Sequence, residues 1–187
     1  AHLRAESGNG AINGQIVVRD NHISHGNGGS LPLAHMPAIA VDVAAPGWTG
    51  DARFELSAVG NNIFAAGANT AGIRLSATQD PSCSHFGCAT LTVTGVTVSA
   101  NQNTVRGVTG HAIELLERGG SYGYRRFEAI GNRIEQSGMA AVRVQSNHYG
   151  DSASSFVSVL DNEISKYNEN FAETIFGIAI DDQDVFS

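Results

Sequence analysis

The chain has 187 residues, 42% of them hydrophobic and 16% charged, and carries a net charge of −7. That length and composition support one domain spanning 1–187 with a sizeable core, and exclude a disordered acidic tail or a coiled coil. Ten of the 11 cations are Arg and are scattered, so nucleic acid is not an expected partner, and no apolar run approaches the roughly 20 residues of a membrane span.

In chain order, one unit recurs five times. It begins with a strand-like run ending in Asn-x-(Ile/Val): QIVVRDNHI, ELSAVGNNI, TVSANQNTV, FEAIGNRI and VSVLDNEI. The asparagines are Asn21, Asn61, Asn103, Asn132 and Asn162, spaced by 40, 42, 29 and 30 residues. A second short run follows each: AIAVDV, GIRLSA, AIELLE, AVRVQS and GIAIDD. Units of about 30 residues with short strands and no helical period read as coils of a parallel β-helix.

The columns agree. Ile16, Leu56, Val98, Phe127 and Val157 align five positions before the Asn. Val18, Ala58, Ala100, Ala129 and Val159 align three before it, and Ile23, Ile63, Val105, Ile134 and Ile164 two after it. Positions two apart share a strand face, so these columns form the interior. The Asn column is expected to stack as an internal amide ladder at a bend, with Asn itself tolerating the turn geometry.

These repeats resemble the right-handed parallel β-helix superfamily typified by pectate lyases, from about Ile12 to Ile180. The resemblance implies a right-handed solenoid of about five coils and a secreted or cell-surface location. It also implies, for many members, action on acidic polysaccharides. Lyases of the superfamily use an Arg or Lys base, often with Ca²⁺ held by a carboxylate cluster. No such motif is matched here, so no cofactor is expected. The superfamily's hydrolase motifs are not matched either.

Candidate site residues fall in three groups. The first lies in loops after the second strand of each unit, where Trp48, Phe86, Tyr122, Tyr124 and Tyr149 gather, with His85 and His148 beside two of them. Loops on one solenoid edge stack into a stripe. This stripe reads either as a glycan-binding face or as rings folded back over their own loops. The second group is Arg74, Glu114 and Arg143, on successive coils between interior positions of the second strand. It reads as an exposed charge ladder or as an anionic-substrate centre with Glu114 as acid or base. Asp181, Asp182 and Asp184 form the third group, a solvated acidic end or a carboxylate pair. His22 and His25 are a weak metal signal without further ligands.

Cys83 and Cys88 within one loop read as a disulfide formed in an oxidising compartment. A chain starting at Ala1 is expected to be processed, trimmed or a fragment, and open solenoid ends allow head-to-tail self-association. The leading expectation is therefore a secreted or surface β-helix module that binds glycan or builds structure without catalysis. The alternatives are a lyase or hydrolase of acidic glycans and a filament subunit without ligand.

Overall fold

The computed structural model describes residues 2–4, 12–24, 36–44, 52–65, 71–78, 93–120, 124–148, 154–167 and 177–184. A short strand β1 (His2–Arg4) precedes five coils of three strands. The coils are β2 (Ile12–Arg19), β3 (His22–Ser24) and β4 (Ile39–Ala44); β5 (Ala52–Val59), β6 (Asn62–Phe64) and β7 (Ala71–Thr78); β8 (Val93–Asn101), β9 (Thr104–Val108) and β10 (His111–Gly120); β11 (Tyr124–Ile130), β12 (Arg133–Ser137) and β13 (Val142–His148); and β14 (Ser154–Leu160), β15 (Glu163–Tyr167) and β16 (Ile178–Asp184). They stack as three parallel sheets. Sheet A is β1-β4-β7-β10-β13-β16, sheet B is β2-β5-β8-β11-β14 and sheet C is β3-β6-β9-β12-β15. The chain is a parallel β-helix of about five coils.

The strand register reproduces the interior columns. Leu56 stacks on Ile16 and Val98, Phe127 on Val98 and Val157, and Ile63 on Ile23 and Val105. In sheet A, Ile39, Ile73, Ile113, Val142 and Ile178 form one column, and Val41, Leu75, Leu115, Val144 and Ile180 the next. The middle coils are sealed, with Leu56, Ile63, Val98, Ile113 and Phe127 fully buried. β1 is a strand that the repeat pattern does not reveal, because its three residues pair with Asp42, Val43 and Ala44 without belonging to a complete unit.

The asparagine ladder forms at the corner between sheets B and C, and it is directional. Nδ2 of Asn21, Asn61, Asn103 and Asn132 donates to Oδ1 of the next asparagine at 2.9, 2.9, 3.0 and 2.8 Å. The same four residues also donate their backbone N–H to that oxygen. The second Nδ2 proton reaches a carbonyl, as in Asn132 to Ala100 and Asn103 to Ala58. Each inner amide thus satisfies backbone groups that the corner would otherwise strand.

The turn geometry falls one residue earlier than the sequence suggests. Asp20, Gly60, Gln102, Gly131 and Asp161, each just before a ladder Asn, have φ of 55°, 66°, 57°, 64° and 54°. The left-handed residue redirects the chain, which leaves the Asn free to point inward. At Gly60 a Cβ would also meet Asp20 Oδ1 at 2.6 Å. Gly72 is required for a different reason, close approach: a Cβ there would lie 2.3 Å from Val105 Cγ1 and 2.7 Å from the Ala112 carbonyl.

The interior is not wholly apolar. Glu117 occupies the inner column between Ala77 and Ser146, and Arg125 faces it across the corner between sheets A and B. Arg125 Nε lies 3.1 Å from Glu117 Oε2, and both side chains are 4% exposed. Ser146 Oγ donates to the same carboxylate oxygen at 3.2 Å.

Candidate functional site

Two constellations stand on outer faces, and neighbouring strands build both. On sheet A, the register sets Glu114 between Arg74 and Arg143. Arg74 Nε donates to Glu114 Oε2 at 2.7 Å, and Arg143 Nη1 lies 3.7 Å from Oε1. The Glu114 side chain is 6% exposed, against 36% and 32% for Arg74 and Arg143. The row is therefore not an exposed ladder. It is a covered carboxylate between two half-covered guanidinium groups.

His111, which the sequence pattern does not single out, completes this cluster with Nε2 4.0 Å from Glu114 Oε1. Burial holds its imidazole below the usual pKa, against the pull of Glu114, and Arg143 and Arg74 add to the depression. A neutral imidazole suits a site that already holds two cations. The carboxylate is thus within ion-pair reach of positive charge on both sides.

The second constellation is a groove of about 560 Å³ on the outer face of sheet B, lined by Asn13, Gln15, Arg53, Glu55, Thr97 and Tyr124 among others. Its geometry follows from one row of the register, in which Asn13 lies beside Arg53, Arg53 beside Gly95, and Gly95 beside Tyr124. Gly95 has no side chain, so β8 raises nothing between Arg53 and Tyr124 in that row. With strands about 4.8 Å apart, those two residues stand roughly 9.6 Å apart. β8 also carries an extra residue here, because Ala52 pairs with Val93 while Arg53 pairs with Gly95. Such bulges bend a strand and re-aim its side chains.

Tyr124 is 48% exposed, and it is the first residue of β11 rather than part of a loop. Its hydroxyl helps to raise the pKa of Arg126, after the larger effect of Glu128. Arg126 in turn donates to Glu128 at 2.6 Å and lies 5.5 Å over the Phe156 ring. Across the groove, Gln15 Nε2 donates to Glu55 Oε2 at 3.0 Å.

Of the proposed aromatic edge, Tyr124 alone is placed with its side chain. Trp48, Phe86, Tyr122, Tyr149 and His85 lie outside the described residues, as do Cys83, Cys88 and His25. His148 pairs with Asp184 and Gly120 at the end of β13, but its side chain is not described. Asp181 and Asp182 occupy register positions beside Gln145 and Ser146, on opposite faces of sheet A. His22 is exposed on β3. Among the described residues, no group of three or more His, Cys, Asp or Glu comes together to hold a metal ion, and no helix is long and apolar enough to cross a membrane.

Sequence reasoning missed Arg53 and His111. The signal for Arg53 was present: Asn13, Arg53, Gly95 and Tyr124 all stand eight positions before a ladder asparagine. No family model, curated protein or solved structure matches the chain.

Proposed function

We propose that this chain is a non-catalytic glycan-binding module of the pectate-lyase-like β-helix type, acting at a cell surface or after secretion. The observation that carries the reading is the groove of sheet B, where half-exposed Tyr124 stands beside hydrogen-bonding side chains. An aromatic face suits the apolar face of a sugar ring, and amides and charges suit its hydroxyls. Catalysis at Glu114 is disfavoured because Arg74 and Arg143 already engage the carboxylate. The test is calorimetric titration with an oligosaccharide panel. Tyr124→Ala weakens binding on the order of tenfold and leaves the melting temperature nearly unchanged. A fall in melting temperature with binding intact would make Tyr124 a structural anchor.

A second reading, head-to-tail self-association, is favoured by coil five. Ile178 and Ile180 belong to inner columns yet are 41% and 55% exposed, an apolar surface that a further coil would cover. Light scattering over a concentration series tests it: growing mass supports association, and constant monomer mass opposes it.

A further inference from the structure

The described arginines divide by partner, with Arg19 at the end of β2 and Arg53 at the start of β5 both outside the ion pairs seen among the described residues. Arg74 and Arg143 flank Glu114, Arg106 and Arg133 meet Glu135, Arg126 meets Glu128, and Arg125 meets Glu117. Arg53 makes no ion pair among the described residues, although Glu55 follows two positions later on the same face of β5. Gln15 donates to the Glu55 carboxylate instead. Arg53 is exposed and lines the groove opposite Tyr124. Its guanidinium donors are therefore available to a ligand, and their planar fork matches a carboxylate or sulfate.

We infer that the groove selects a glycan carrying a single oxyanion, with Arg53 pairing the carboxylate or sulfate while Tyr124 stacks on the same ring. This rests on the glycan-binding reading above. The row from Arg53 across Gly95 to Tyr124 sets the ring and the anion at opposite ends of one slot. The surroundings disfavour a second anion beside the first. Glu55 stands in the next row of the groove and meets no cation among the described residues, whereas Glu128 one row beyond is paired with Arg126. A neighbouring anionic sugar meets Glu55, and the whole chain at −7 repels a dense polyanion at a distance. The fitting ligand is thus a largely neutral glycan with an isolated acidic sugar, and Arg53 is its specificity-determining residue.

The experiment is titration of the full chain with three matched oligosaccharides: one neutral, one bearing a single uronate and one bearing a single sulfate. A polyuronate of equal length serves as the fourth arm. The wild type binds at least one mono-anionic ligand about tenfold more tightly than the neutral one, and more tightly than the polyuronate. The tighter of the two mono-anionic ligands assigns carboxylate or sulfate. Arg53→Gln abolishes that preference, bringing the mono-anionic and neutral affinities to the same level, with the wild-type melting temperature. If the wild type binds neutral sugar without preference, if the polyuronate binds best, or if Arg53→Gln keeps the preference, the inference is overturned while the glycan-binding reading stands. If no sugar binds, or if Tyr124→Ala changes none of the affinities, the glycan-binding reading itself fails.

Discussion

Sheets A and B each carry charge on their outer faces, and the two faces end in opposite states. On sheet A, Glu114 is covered, Arg74 donates to it at 2.7 Å, and Arg143 and neutral His111 close the ring around it. On sheet B, Arg53 has no acidic partner among the described residues and shares a groove with exposed Tyr124. In the sequence the charged row reads as an exposed ladder or an anionic-substrate centre, Tyr124 belongs to the aromatic group, and Arg53 goes unnoticed. A charge whose interactions are already satisfied holds the solenoid together, and an unsatisfied one beside an exposed ring is available to a ligand.

The largest effect is expected at the asparagine ladder, which lies at the far end of the sheet B strands from the groove. Asn132→Ala removes the acceptor of Asn103 N and Nδ2 and the donor to the Ala100 carbonyl. At roughly 1–3 kcal/mol for each buried group left unpaired, chemical denaturation should show a loss above about 3 kcal/mol. An unchanged midpoint would mean the ladder is ornamental and that strand pairing alone sets the corner.

Glu114→Ala comes next. It leaves Arg74 and Arg143 facing each other, but both keep partial access to water, so the expected loss is about 1–3 kcal/mol, with glycan affinity unchanged. Lost affinity with unchanged stability would return the functional role to sheet A.

A smaller effect is expected from His111. Its pKa is lowered from 6.5 in the folded chain, so below that value the unfolded chain binds the proton more readily. Stability should hold above about pH 6.5 and fall as the pH drops through the lowered folded pKa. His111→Gln should flatten that part of a melting-temperature profile. A profile that the substitution leaves unchanged would separate His111 from the cluster. The smallest change is expected for Arg133→Ala on sheet C. Its ion pair with Glu135 is exposed, and exposed pairs are worth about 0–1 kcal/mol. A larger loss by denaturation would mean that the Arg106–Glu135–Arg133 network acts as a unit.

The fold was legible because the repeat wrote its own register. Aligning Asn21, Asn61, Asn103, Asn132 and Asn162 also aligns the three interior columns of sheets B and C that stack as strand pairs. Features outside that period were hidden. β1 spans three residues and repeats nothing. ERGGSYGYR reads as a loop because its glycines suggest a turn, yet β10 continues to Gly120 and β11 begins at Tyr124. The inward Glu117 and Arg125 break the hydrophobic pattern, and their pairing across a corner is not encoded by alternation. Arg74, Glu114 and Arg143 were found together, but sequence alone could not show how far Glu114 is covered. The groove depends on what lies across strands, with Gly95 between Arg53 and Tyr124, and an aromatic search along the chain passes over it.

The most direct test of this division is chemical-shift mapping on the isotope-labelled chain during titration with neutral and mono-anionic oligosaccharides. The account predicts that the resonances of Gln15, Arg53, Thr97 and Tyr124 shift with ligand, while those of Arg74, His111, Glu114 and Arg143 stay in place. Shifts centred on His111 and Glu114, with the groove unaffected, would contradict it.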